Sequence, residues 1–112
     1  METERDRLAE FRALMATFVK KWSVEIMYLL YMNESMRFSE LSRELGGPSS
    51  RILSDRLNEL EVMGLVNRRV LPEKPVRVDY MLTEAGRQVG EQAYDSLSTL
   101  LEIWKRSTVE NG

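Results

Sequence analysis

The sequence predicts a mainly α fold with one small β-hairpin (α+β). Three features lead there. Apolar residues recur three and four apart through most of the chain, Gly46-Gly47-Pro48 divides two short helical patterns, and the stretch after Gly64 alternates with a period of two.

Taken in order, Leu8, Phe11, Met15, Phe18 and Val19 mark the apolar face of a helix over about 4–19, opposite Glu4, Arg5, Arg12 and Thr17. Trp22 to Met32 is apolar on most sides, the pattern of a buried central helix, and polar residues from Asn33 end it. Phe38, Leu41 and Leu45 point inward from a short helix. Gly46-Gly47-Pro48 stops it, because glycine tolerates a left-handed cap and proline cannot continue the hydrogen-bond ladder. Ser49 then stands at an N-cap position, with a hydroxyl able to accept a backbone N–H. The helix it opens buries Ile52, Leu53, Leu57, Leu60 and Val62 or Met63, and Gly64 closes it. Alternation over Leu65–Val70 and Arg77–Leu82, around Pro72-Glu73-Lys74-Pro75, makes an antiparallel hairpin. Thr83 caps a long last helix to about Arg106, striped by Val89, Ala93, Leu97, Leu100, Leu101 and Trp104, and residues 108–112 are expected to fray.

The chain's 112 residues suit one domain, 43% hydrophobic and 30% charged. No apolar run approaches the roughly 20 residues of a membrane span. The charged start, METERDRLAEFRAL, lacks the apolar centre of a signal peptide, so a cytoplasmic location without membrane contact is expected. Cysteine and histidine are both absent, which removes disulfides, thiol nucleophiles, Cys/His zinc sites and the usual general base. The carboxylates are scattered with no cluster to collect a cation, so neither catalysis nor a metal or other cofactor is expected. Net charge is −2, yet Ser49 to Arg77 holds six basic residues against four acidic ones.

Two short helices around a tight turn, followed by a hairpin with a stiff charged tip, compose a winged helix-turn-helix with helical arms at both ends. Within it, several segments match in order and spacing a known pattern over about residues 20–90. They are Lys21-Trp22-Ser23, Arg37-Phe38-Ser39-Glu40-Leu41, Leu53-Ser54-Asp55-Arg56-Leu57-Asn58-Glu59-Leu60-Glu61, Gly64-Leu65-Val66, Pro75-Val76-Arg77-Val78-Asp79-Tyr80 and Leu82-Thr83-Glu84-Ala85-Gly86-Arg87. In these the chain resembles the HxlR-type winged helix-turn-helix regulators of the MarR-like superfamily, prokaryotic transcription factors. The proline-bounded wing followed by Arg-Val-Asp-Tyr is the most diagnostic piece. The resemblance implies a homodimer built from the terminal helices that binds double-stranded DNA at a pseudo-palindromic operator. The expected division is an arm over 1–20, a winged-helix core over 21–83 and a dimerisation helix over 84–108, within a single domain of 1–112.

Two departures stand out. Phe18-Val19-Lys20 replaces a glycine pair often found before Lys-Trp, which predicts a straighter helix junction. Many relatives carry an N-terminal cysteine that senses oxidants; this chain has none, so thiol sensing is excluded.

On such a scaffold the helix from about Ser49 to Met63 enters the major groove and the wing, about Leu71 to Arg77, lies on the backbone or minor groove. Ser50, Arg51, Ser54, Asp55 and Asn58 form the exposed face, with Arg51 the first candidate for bidentate contact to guanine. Arg56 lies on the flank, where pairing with Glu59 or the chain's own backbone competes with phosphate. Ser39 and Ser49, near helix starts, are candidate phosphate donors, and so are Lys74 and Arg77 on the wing. Glu73 at the tip opposes them, and alternation lets at most one of Arg68 and Arg69 join the surface of Arg77. A small-molecule effector is conceivable in a cavity lined by Met15, Trp22, Met27, Tyr31 and Trp104, which read equally as ordinary core. The alternative overall is a winged-helix protein-interaction adaptor, or a subunit of a larger assembly, without specific DNA reading.

Overall fold

The computed structural model describes residues 3–111, with side chains through Val109. Five helices and three strands follow in the order α1 (Glu4–Phe18), α2 (Ser23–Met32), β1 (Met36–Arg37), α3 (Phe38–Leu45), α4 (Ser50–Val62), β2 (Val66–Leu71), β3 (Arg77–Leu82) and α5 (Glu84–Asn111). The strands form one antiparallel sheet ordered β1-β3-β2. This is the winged helix-turn-helix the sequence predicts. The short strand β1 is an addition: Met36 pairs with Tyr80 and Arg37 with Asp79, and two residues carry no periodicity by which to be recognised.

Each boundary has a local cause. Thr3 and Asp6 cap α1 reciprocally, Asp6 N–H donating to Thr3 Oγ1 and Thr3 N–H to Asp6 Oδ2, both at 3.2 Å. Ser49 Oγ accepts from Ile52 N–H at the start of α4. Gly46 and Gly64 take the left-handed caps of α3 and α4, with φ of 71° and 77°. Thr83 N–H donates to the Leu65 carbonyl and its hydroxyl to Gly64 O, while Oγ1 accepts from Gly86 N–H and caps α5. That one threonine joins the end of α4, the hairpin and the last helix.

The core centres on Ile26, Met27 and Leu30 of α2, packed with Leu41 of α3, Leu53, Leu57 and Leu60 of α4, and Met36, Leu65, Val66 and Leu82 of the sheet region. Each such side chain contributes about 1.5–3 kcal/mol when withdrawn from water. Gly86 lets α5 cross tightly beside Leu65, whose carbonyl a methyl group at Gly86 would overlap. Two ring contacts continue the α2–α5 packing, with Tyr94 centred 6.1 Å from Tyr28 and 5.5 Å from Tyr31.

Several expectations change. The central helix is not enclosed all round, since Tyr28 and Met32 are half-exposed on the side away from the core. Ile52 is exposed, and at the end of α4 Val62 faces solvent while Met63 packs inward. The last helix continues to Asn111 rather than fraying from 108; Gly112 lies outside the described residues. The α1–α2 junction is bent, because Trp22 adopts φ 82°. A non-glycine residue there costs about 1–3 kcal/mol and persists only where its surroundings hold it.

Asp79 is the buried charge of the sheet. It sits on the middle strand at 2% exposure, accepting from Arg77 Nε at 2.8 Å and from Arg69 Nη2 at 3.4 Å. The Arg77 hydrogen bond is the main cause holding this carboxyl below its ordinary range; burial opposes it, and Arg69 adds to it. The same bond pushes Arg77 above its ordinary value. Arg69 is thus the one of the two strand arginines that shares a face with Arg77, as the cross-strand pairing of Arg69 with Asp79 dictates.

Three expected outcomes follow from this packing. Gly86→Ala should cost about 2–3 kcal/mol or more in urea unfolding. Gly90→Ala, whose methyl would meet the Tyr31 and Leu82 side chains at 3.3–3.4 Å, should stay within about 1 kcal/mol because helix propensity offsets the crowding. Asp79→Asn should lower the melting temperature at pH 7. An ionised Asp79 stabilises above the ordinary carboxylate pKa and loses that effect as pH falls through its depressed value. The gap to wild type should therefore be flat above about pH 5 and narrow below about pH 4; a gap independent of pH would refute the ion-pair account.

Candidate nucleic-acid interface

Helix α4 separates its residues by side. Leu53, Leu57 and Leu60 are buried, whereas Ser50, Arg51, Ser54, Asp55 and Asn58 are exposed. At about 100° per residue these exposed positions fall on one face of the helix, opposite the leucines. Arg51 has no hydrogen bond or ion pair among the described residues and projects from the first turn. Ser49 Oγ accepts the capping N–H, which leaves its hydroxyl hydrogen free to donate outward.

The structure gathers the remaining candidates into two grooves. Ser54, Asp55 and Asn58 line a polar groove of about 270 Å³ between α4 and the sheet, where Arg68 and Tyr80 form the opposite wall. Ser39, Lys74 and Arg77 line a second cleft of about 440 Å³ between the start of α3 and the wing, together with Arg37. Arg37 N–H is capped by Glu40 Oε1 at 2.8 Å, so the first turn of α3 is well held. Lys74 is exposed and unpaired among the described residues. Arg77 is a third exposed and gives its Nε–H to Asp79, so its terminal nitrogens remain for an outside partner.

Arg56 stands apart from this set. Its Nε donates to the Lys21 carbonyl at 3.0 Å and its Nη1 to Glu59 Oε1 at 3.2 Å, while Lys20 Nζ reaches the same Glu59 oxygen at 3.1 Å. The flank position takes the intramolecular alternative. Conversely, Arg68 and Arg37 border the two grooves but were not among the sequence candidates. The signal for Arg68 was its alternation with Val66, which places it on the side of the sheet facing α4. For Arg37 there was none, because its position depends on β1.

The expected effector lining does not come together. An apolar cavity of about 340 Å³ does lie between α2 and α5, but it is bordered by Phe18, Val24, Met27, Tyr28, Ala93, Tyr94, Leu97 and Leu101. Of the five expected residues only Met27 is among them. Trp104 is 63% exposed near the far end of α5, Trp22 packs on Gly47, Tyr31 turns to Tyr94, and Met15 is half-buried on α1. Met15 and Trp104 stand on α1 and α5, Trp22 in the turn before α2, and Met27 and Tyr31 on α2, so size and adaptability alone could not group them.

Among the described residues no group of three or more His, Cys, Asp or Glu is arranged to hold a metal, and no helix is long and apolar enough to cross a membrane.

Comparison with known proteins agrees with this geometry. An uncharacterized HTH-type transcriptional regulator of Bacillus subtilis (strain 168), YvaP, is 48% identical over 68 residues, 61% of this chain and 62% of its own. The chain covers 62, 57 and 52% of the length of three such curated relatives. The reduced form of the transcriptional regulator YodB from B. subtilis superposes with a TM-score of 0.66 at 31% identity, over 100% of this chain and 99% of that one. The putative transcriptional regulator ytfH from Salmonella typhimurium gives a TM-score of 0.74 at 31% identity, over 89 and 88%. The model of the HxlR-like helix-turn-helix family matches residues 17–108, which include both grooves, the wing and most of α5: the chain belongs to the HxlR-like helix-turn-helix family.

Proposed function

We propose that this protein is a cytoplasmic, sequence-specific DNA-binding transcriptional regulator that acts as a homodimer. The observation that carries the reading is the exposed polar row of α4, set beside the wing, with Arg51 at its first turn and Lys74 on the wing both unpaired among the described residues. A surface built to dock a protein would normally present aromatic or aliphatic anchors there. The relatives' description as HTH-type transcriptional regulators supports the same reading.

In this reading α4 lies in the major groove, about 12 Å wide in B-DNA. Arg51 addresses a guanine edge, and Ser50, Ser54, Asp55 and Asn58 reach neighbouring edges or phosphates. Ser39, Ser49, Lys74 and Arg77 hold the backbone, with Arg37 and Arg68 adding charge to the two grooves. Positioning contacts of this kind carry most of the salt dependence and little of the sequence choice.

The dimer would be built from the 1–20 arm and the 84–108 helix around a 21–83 core. Not one residue of α1 is buried, and Leu8, Phe11 and Leu14 are 43–59% exposed. On α5, Leu97, Leu100, Leu101, Ile103 and Trp104 are 46–63% exposed. The Cα radius of gyration is 16.5 Å, against about 13 Å for a compact chain of this length. Two apolar arms extended from a small core are what a second copy would cover. Two-fold symmetry then sets half-site centres about 10 bp apart, or a small adjustment of that.

Binding to random duplex DNA, followed by fluorescence anisotropy against salt, tests the first part. Wild type should weaken steeply with salt, and Lys74→Ala with Arg77→Ala should reduce the log–log slope by about 1–2. In an operator selection, Arg51→Ala should lose about 1–3 kcal/mol of discrimination at one base position. No binding at low salt by folded protein would instead favour the protein-adaptor reading. For the dimer, sedimentation equilibrium should give twice the chain mass for wild type and a monomer for Leu97→Asp with Leu101→Asp; a wild-type monomer at micromolar concentration would refute it.

A further inference from the structure

The turn between α1 and α2 is tied to the helix-turn-helix at three points. The Trp22 ring covers Gly47, in the turn between α3 and α4, so closely that a methyl there would lie 2.6 Å from Trp22 Cη2. The Lys21 carbonyl accepts from Arg56 Nε, and Lys20 Nζ meets Glu59 Oε1. Arg56 Nη1 also donates to that oxygen, which closes the network. These bonds join positions 35 and 39 apart in sequence. They attach to α4 on a flank: Arg56 lies about 100° beyond Asp55, the edge of the exposed row, and its Nε and Nη1 are already given to Lys21 O and Glu59 Oε1. Arg56 is not among the residues lining the groove of Ser54, Asp55 and Asn58.

The turn itself is held in an unfavourable shape, with Trp22 at φ 82°. Lys21 Nζ lies 5.1 Å from the centre of the Trp22 ring and packs that ring from its own side. Beyond the turn, α1 buries none of its residues. With Phe18 packed against the core, the arm's direction relative to α4 is set chiefly by that contact and these few bonds.

Resting on the proposed dimeric regulator, we infer that the Lys20–Trp22 turn sets the angle between the dimer arm and α4, with Arg56 and Glu59 as positioning residues that do not touch DNA. In a two-fold dimer that angle determines how far apart the two copies of α4 stand. Arg56 and Glu59 thus govern which half-site spacing the protein accepts, while Arg51 and its neighbours govern which bases it prefers. A phosphate-contacting arginine would act differently, weakening all sites alike and lowering the salt slope by about one.

The test is a selection from duplexes whose selected half-sites are separated by about 8 to 14 bp, a range that brackets the expected spacing of about one helical turn. It compares wild type, Arg56→Lys, Arg56→Ala, Glu59→Gln and Arg51→Ala, each checked by circular dichroism and sedimentation. Arg56→Lys keeps the charge and loses the paired Nε and Nη1 donors; Glu59→Gln keeps the shape and loses the charge that two cations share. Wild type should prefer its best spacing over one base pair longer or shorter. Both positioning variants should lose that preference by about fivefold, the typical net worth of one hydrogen bond, with unchanged base preference and salt slope. Arg51→Ala should do the reverse. Unchanged spacing preference in Arg56→Lys and Glu59→Gln overturns the inference, and so does a salt slope lowered in Glu59→Gln or in Arg56→Ala. Failure of wild type itself to bind any duplex would fall on the regulator reading instead.

Discussion

The burial of one side of α4 against α2 governs the rest of this molecule. Leu53, Leu57 and Leu60 must leave water, and Ile26, Met27 and Leu30 supply the surface that receives them. Because side chains three and four apart share a side of a helix, satisfying that demand turns the opposite row outward. The polar row is thus a consequence of core packing. Any change that rolled α4 to improve one contact would misdirect Arg51, Ser54, Asp55 and Asn58 together.

Around this contact the structure separates rigid from adjustable parts. The hairpin base is locked by Asp79, a carboxylate buried on the middle strand and matched by Arg69 and Arg77. Charge buried without such partners would be costly, so the two arginines and the aspartate are held as a unit. Thr83 and Gly86 do the same for the entry of α5, the first by hydrogen bonds to both neighbouring elements, the second by lacking a side chain where Leu65 passes. By contrast α1 and the outer half of α5 present apolar rows that this chain leaves uncovered. Their positions are decided by few internal contacts, which is the condition in which a partner or a bent junction has most influence.

How much of this was legible beforehand varied with the range of the interaction involved. The short helix ending at Gly46, the cap at Ser49, the stop at Gly64 and the cap at Thr83 could all be read, because backbone preferences of glycine, serine and threonine act within a few residues. The wing was legible too, since alternation and proline are local signals. The candidate site was legible as a face: Ser50, Arg51, Ser54, Asp55 and Asn58 emerge together wherever the leucines are buried. Its surroundings were not. Arg56 sat on a boundary that periodicity cannot resolve, and the cavity beside α2 drew on Tyr28, Tyr94 and Leu97 rather than on the largest side chains.

The sequence by itself therefore determined the order of the helices and the hairpin, the stops at Gly46 and Gly64, the leucine row of α4 and the exclusion of thiol chemistry. Each of these depends on local spacing or on which atoms are present at all. Tertiary structure alone decided that Arg69, not Arg68, joins Arg77 at Asp79, and that Arg56 turns inward to Lys21 and Glu59. It also decided that Trp22 caps Gly47 and that the apolar arms stay uncovered. Those outcomes rest on pairs ten to nearly forty residues apart. Once the core has folded, electrostatics and close packing choose between partners that one-dimensional spacing leaves equivalent.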